Sequence, residues 1–158
     1  LVFKTILVPY DGSAMSDKAL DKAVELANII KESRIMIIHV VPEIPTPIFS
    51  RVIHSPKTGE VITFSEYMVS LYQEMESKMR ERLEERKEKY SKYGVPIEIY
   101  ITTGIPTDKI LEHATDKKVD LIVIGSIGVT GISKFFKGLG SVSRNVSEKV
   151  SCPVLIVR

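Results

Sequence analysis

The sequence predicts an α/β fold: a doubly wound, mostly parallel sheet with helices on both faces. Three observations carry this. Five short apolar runs punctuate the chain, helical patterns separate them, and four of the five runs lack the alternation of a one-sided sheet. Strands covered on both faces read as continuous Ile, Val and Leu, as these four do.

The first run, Lys4 to Val8, is followed by apolar positions Ala19, Ala23, Leu26 and Ile30 at three-to-four spacing, with Leu20, Val24 and Ala27 beside them. Ser13 or Ser16 is placed to cap that helix. The second run is Ile35 to Val41. Residues 42–61 then hold four of the eight prolines, between Pro42 and Pro56, and read as a stiff irregular loop. A long helix follows from about Ser65 to Tyr93, ended by Gly94 and Pro96. Its first half carries Tyr67, Met68, Leu71, Met75 and Met79, a stripe that reads as core, with part of a contact surface as the alternative. Its second half, Lys78 to Lys89, is almost wholly charged and reads as a solvated face, with Glu74–Lys78, Glu76–Arg80 and Glu85–Lys89 as supporting pairs. The third run, Ile97 to Ile101, alternates with Glu98 and Tyr100, the pattern of an edge strand. Pro106 opens a third helix that buries Ile110, Leu111 and Ala114. The fourth run is Leu121 to Ile124. A last helix begins near Ser141, with Val142, Val146 and Val150 on one face. Cys152-Pro153 then turns the chain into the fifth run, Val154 to Val157.

With 158 residues, one domain over 1–158 is expected. The balance of 22 basic against 20 acidic residues demands no nucleic acid as partner. No apolar run approaches the roughly 20 residues of a membrane helix. Cys152 is alone, which excludes an intrachain disulfide. The opening residues read as a strand and not as an export signal, so the cytoplasm is the expected location.

Function is sought at the carboxyl ends of the strands, where doubly wound sheets bind ligands. Five of the nine glycines fall between Gly125 and Gly140, which points to unusual backbone geometry. This segment follows a buried strand and enters a helix, so its amides and the helix N-terminus suit phosphate, with Ser141 adding a hydroxyl. From Leu121 to Ser147 the charged residues are Lys134, Lys137 and Arg144, with no acid among them. The plain alternative is a flexible connection with a glycine C-cap. It is no Walker loop, because no Gly-Lys-Ser/Thr occurs, and it lacks the dinucleotide fingerprint. Asp11, just past the first strand, is either a turn residue of an Asp-Gly pair or a carboxylate for a ribose hydroxyl, an adenine amine or a phosphate-bridged metal. His39, His54 and His113 show no ligand spacing and read as structural.

Val-Pro-Tyr-Asp-Gly-Ser after the first strand, His39-Val40-Val41 closing the second, Gly-Ser-Ile-Gly, a later Gly-Ser, and Cys-Pro-Val-Leu-Ile-Val together resemble the universal stress protein family. The resemblance covers nearly the whole chain and is weakest over residues 42–61. It implies a Rossmann-like sheet of five parallel strands in the order 3-2-1-4-5, and a homodimer formed through the last strand. It also implies ATP as ligand, with magnesium or manganese bridged through the phosphates. The ATP-binding branch carries Gly-x2-Gly-x9-Gly-Ser/Thr. Here Gly125-x2-Gly128 matches, while Gly140-Ser141 lies eleven residues on. By position, Pro9, Tyr10, Asp11 and Val40 would flank adenine and ribose. Ile124, Gly125, Ser126, Gly128, Gly140, Ser141 and Val142 would line the phosphates. The expected role is a nucleotide-dependent switch or adaptor with slow or no hydrolysis and an unnamed protein partner. No general base, arginine finger or Walker acid is evident. A non-nucleotide dimeric interaction module and a true ATPase or phosphotransferase are the alternatives.

Overall fold

A computed structural model describes residues 2–43, 51–128 and 139–158. β-Branched and apolar runs form the central strands: β1 (Thr5–Pro9), β2 (Arg34–Val41), β5 (Ile97–Thr103), β6 (Leu121–Gly125) and β7 (Val154–Val157). Two short strands, β3 (Val52–His54) and β4 (Val61–Thr63), stand apart from them. The helices are α1 (Ala14–Ile30), α2 (Phe64–Tyr90), α3 (Pro106–Asp116) and α4 (Ser141–Lys149). The main sheet runs β5-β2-β1-β6-β7 with every pairing parallel. Counting only its own strands in chain order, that is 3-2-1-4-5, as the resemblance implied. β5 is an edge, as its alternation predicted.

Each face has its own core. Ile6, Val8, Ile35, Ile37 and Val123 point toward α1 and α2, against Leu20, Val24 and Leu83. Leu7, Met36, Ile38 and Ile122 point toward α3 and α4, against Ile110 and Val146. Strands buried on both sides explain the missing alternation. Among the described residues no helix is long and apolar enough to cross a membrane.

Residues 42–61 depart from the expected irregular loop. β3 and β4 pair antiparallel, with Ile53 opposite Ile62. The prolines hid this: Pro56 lies in the turn between the strands, where Gly59 adopts φ +74°. Residues 44–50 lie outside the described part.

The apolar half of α2 departs from its expected role, while the charged half is mostly exposed as expected. In the apolar half only Met68 is buried, while Met75 is 40% exposed. In the charged half, Leu83 and Tyr90 are buried, and Arg82 and Arg86 pair with Asp17 of α1 at 3.2 and 3.1 Å. Position explains the exposure of the apolar half. Met79 and Arg82 already lie beside Gly12, past the end of β1, so the turns before them stand beyond the rim of the sheet. Residues 64–78 span about 22 Å of helix, and the Tyr72 hydroxyl among them donates to the Pro42 carbonyl just past β2 at 3.1 Å. Glu74–Lys78 and Glu76–Arg80 form as expected, whereas Lys89 turns to Asp21. Thr63 and Glu66 build a capping box at the start of α2.

Candidate functional site

Site residues converge where β1 and β6 end side by side. The order of the sheet reverses between these strands, which leaves a crevice. Pro9 is buried as the last residue of β1. The Tyr10 amide donates to the Ile38 carbonyl at 2.8 Å, and the Tyr10 carbonyl lies 2.8 Å from His39 Nδ1. Its side chain turns into the α1–α2 core, where the hydroxyl donates to Asp17 Oδ1 at 2.6 Å. Burial, and then the Asp17 carboxylate, push the Tyr10 hydroxyl above its ordinary pKa. Tyr10 therefore brings only backbone to the crevice, and its side chain anchors the turn.

Asp11 follows that anchored residue. Its Oδ1 accepts from the Ser13 amide at 2.9 Å, as an Asp in a turn commonly does. Its Oδ2 faces Gly128: a Cβ built on Gly128 would stand 2.6 Å from it. No side chain fits there unless the carboxylate moves. Between Asp11 and Ser13, Gly12 adopts φ +83°, a conformation that favours glycine. Ser13 then caps α1 by accepting from the Ser16 amide at 3.1 Å, which settles the choice between Ser13 and Ser16.

On the β6 side, Gly125 has a packing reason. A Cβ there would lie 2.8 Å from the Met15 carbonyl carbon and 2.8 Å from its Cβ, so α1 rests directly on the strand end. Ile124 is 5% exposed and belongs to the α3–α4 core. Ser126 is buried, and its amide donates to the Val157 carbonyl at 2.8 Å. Its own carbonyl accepts twice, from the Gly140 amide at 2.8 Å and from Ser143 Oγ at 2.9 Å. Residues 126–128 are thereby tied to residues 139–141.

Gly140 is the N-cap of α4 and lends it no side-chain hydrogen bond, and no acid stands in the first turn. The first amides of α4 and the positive end of its dipole thus stand beside Ser126–Gly128. Ser141 is exposed at this end, while Val142 is half-buried against the α3–α4 core. Val40, 9% exposed, lies one strand over, opposite Thr102 and inside the same core.

The structure therefore gathers Asp11, Ser126, Gly128, Gly140 and Ser141, with the backbone of Pro9 and Tyr10 alongside. Ile124, Val142 and Val40 commit their side chains to packing. The expected unusual backbone geometry is not found at Gly125, Gly128 or Gly140, since none has positive φ. Close approach is what Gly125 and Gly128 supply instead. Gly131, Gly138, Lys134 and Lys137 lie outside the described residues. Arg144 is exposed, and its Nη2 donates to the Leu139 carbonyl at 3.4 Å. Among the described residues no group of three His, Cys, Asp or Glu side chains is placed to hold a metal.

Sequence reasoning missed three parts of this site. One is Ser143, whose sign was a serine three residues after Gly140 at a helix start. Another is the Asp17–Arg82–Arg86 cluster that fixes Tyr10, which joins residues far apart in sequence. The last is the backbone of Met15.

Comparisons with known proteins agree with this fold. The profile described as the universal stress protein family matches residues 3–158. Universal stress protein YxiE of Bacillus subtilis is 40% identical over 157 residues, covering 99% of this chain and all of its own. Universal stress protein UspA from Lactobacillus plantarum superposes with a TM-score of 0.81 at 22% identity, over 100% of this chain and 99% of its own. A family protein from Arabidopsis thaliana, solved with AMP bound, gives a TM-score of 0.64 at 21% identity, over 98% of this chain and 90% of its own. This chain belongs to the universal stress protein family.

Proposed function

We propose that residues 1–158 form one nucleotide-binding domain that takes ATP in the crevice between β1 and β6. One observation carries the reading. Asp11 Oδ2 stands where a Gly128 side chain would be, beside the uncapped, acid-free N-terminus of α4. A carboxylate for ribose and the first amides of α4 for phosphate are thus adjacent. The AMP held by the Arabidopsis family member supports an adenine nucleotide as the ligand class.

In this reading the backbone of Pro9 and Tyr10, with Val40, flanks the base, and Asp11 takes the ribose. Ser126, Gly128, Gly140 and Ser141 surround the phosphates. These residues fit an ATP-bound magnesium or manganese, which would screen phosphate charge and be held through the phosphates. Turnover is slow or absent. Asp11 is the carboxylate that the described residues bring to the glycine turn, and its Oδ1 already accepts from Ser13.

Nucleotide state would then be passed to a protein partner. The overhanging half of α2 and the β3–β4 hairpin expose Val52, Val61, Val69 and Met75, which favours an adaptor role. We further propose a homodimer through β7, an open edge of apolar residues with Leu155 39% exposed.

Titration calorimetry with ATP and Mg²⁺ tests the reading. Binding at micromolar affinity or tighter is expected, and Gly128→Val should abolish it, because the added side chain collides with Asp11. Absence of heat from the wild-type chain, or unchanged affinity in the variant, would place the function elsewhere.

A further inference from the structure

Ser143 is a buried hydroxyl that the reading above does not use. It lies in the first turn of α4 at 3% exposure, and its Oγ is within hydrogen-bond distance of two carbonyls. The Ser126 carbonyl is 2.9 Å away and the Gly140 carbonyl 3.0 Å. A hydroxyl has one proton, so the two acceptors compete for it. The bond to Gly140 stays within the helix start. The bond to Ser126 crosses to the strand end, and there it joins the Gly140 amide on a single carbonyl oxygen, using both of its lone pairs.

We infer that Ser143 is a positioning residue for nucleotide phosphate: through the Ser126 carbonyl it holds the first amides of α4 against the Ser126–Gly128 turn. This rests on the proposed nucleotide site. The physical argument is pre-organisation. Amides on two separate segments serve one phosphate group well only if their spacing is set before the ligand arrives. The Gly140 amide alone ties the two backbones at one point, which leaves α4 free to pivot about it. A second bond one turn along the helix removes that freedom. Ser143 need not touch the ligand to do this, and its burial keeps water from competing for the Ser126 carbonyl.

The test uses the full chain with Ser143→Ala and Ser143→Thr. A neutral hydrogen bond of this kind is worth roughly a two- to tenfold change in an equilibrium constant. Ser143→Ala should therefore weaken ATP binding by about that factor while leaving adenosine, measured by displacement of a fluorescent ATP analogue, unchanged. Ser143→Thr keeps the hydroxyl and should restore ATP affinity. In ligand-free protein the Gly140 amide should exchange with solvent faster in the alanine variant, and at the wild-type rate in the threonine variant. ATP binding with an unchanged ATP-to-adenosine ratio in Ser143→Ala would overturn the role of Ser143 alone. Equal losses for ATP and adenosine would also overturn it, marking the residue as merely structural. Absence of ATP binding to the wild-type chain would overturn the nucleotide reading and this role with it.

Discussion

Gly125 and Gly128 are glycines for different reasons, and only one of the reasons concerns the proposed ligand. At Gly125 a side chain meets the Met15 backbone, which cannot swing aside. At Gly128 it meets the Asp11 carboxylate, which can. Gly125→Ala should therefore cost about 1–3 kcal/mol of stability, as overpacking typically does. Urea unfolding would measure it, and a change within about 0.5 kcal/mol, as at an ordinary surface site, would contradict the packing. Gly128→Val should instead act on binding. From sequence the two positions look alike, because the Gly-x2-Gly spacing marks a close approach without naming the neighbour. The neighbours are Met15 and Asp11, more than a hundred residues earlier in the chain. Asp11 itself stood out from its place after the first strand. The role of Tyr10 was hidden, since the same six-residue stretch serves whether its ring lines the crevice or anchors the turn.

At the scale of elements, the seam between β5 and α3 contains a pH-sensitive contact. The His113 ring of α3 meets the Tyr100 ring of β5 at 4.4 Å between centroids, tilted by 62°. Its Nε2 is buried and has no hydrogen-bond partner among the described residues. Burial, and then the nearby Lys117, hold the imidazole below its ordinary pKa of 6.5, against the weaker pull of Asp116, Glu98 and Glu112. The unfolded chain therefore takes up the proton first as pH falls. The stability contributed by neutral His113 is fully present above about pH 6.5 and is lost below it, as the pH drops toward the lowered folded value. Between pH 7.5 and 5, His113→Leu should lose less stability than the wild type in urea unfolding. Equal losses would contradict the assignment. Element positions were legible in the sequence because burial on two faces leaves unbroken apolar runs, and because Ser13, Pro106 and Gly94 mark helix ends. The role of α2 was not. Periodicity reports which side of a helix is apolar, but not how fully that side is covered, and here Met68 is buried while Met75 is 40% exposed.

For the whole molecule, the parallel sheet leaves two open edges with different character. β5 carries Glu98, which pairs with Arg34 at 3.6 Å, and so presents charge. β7 carries four apolar residues, Val154–Val157, with Leu155 39% exposed, a surface suited to pairing with a second copy. Leu155→Lys should shift sedimentation of the chain from dimer toward monomer while leaving ATP affinity within about twofold, a change worth some 0.4 kcal/mol. A monomeric wild type would contradict the edge pairing. β5 lies two strands from β1, whereas β7 pairs with β6, and its Val157 carbonyl accepts from the Ser126 amide at 2.8 Å.

In the proposed site the turn around Gly128, held between Asp11 and the start of α4, receives the phosphates of ATP. The most direct measurement is calorimetric titration of ATP with Mg²⁺ into the wild-type chain and Gly128→Val side by side. Micromolar or tighter binding to the first and none to the second is expected, with both chains equally folded. A wild-type chain that takes no ATP, or a folded variant that binds as tightly, would contradict it.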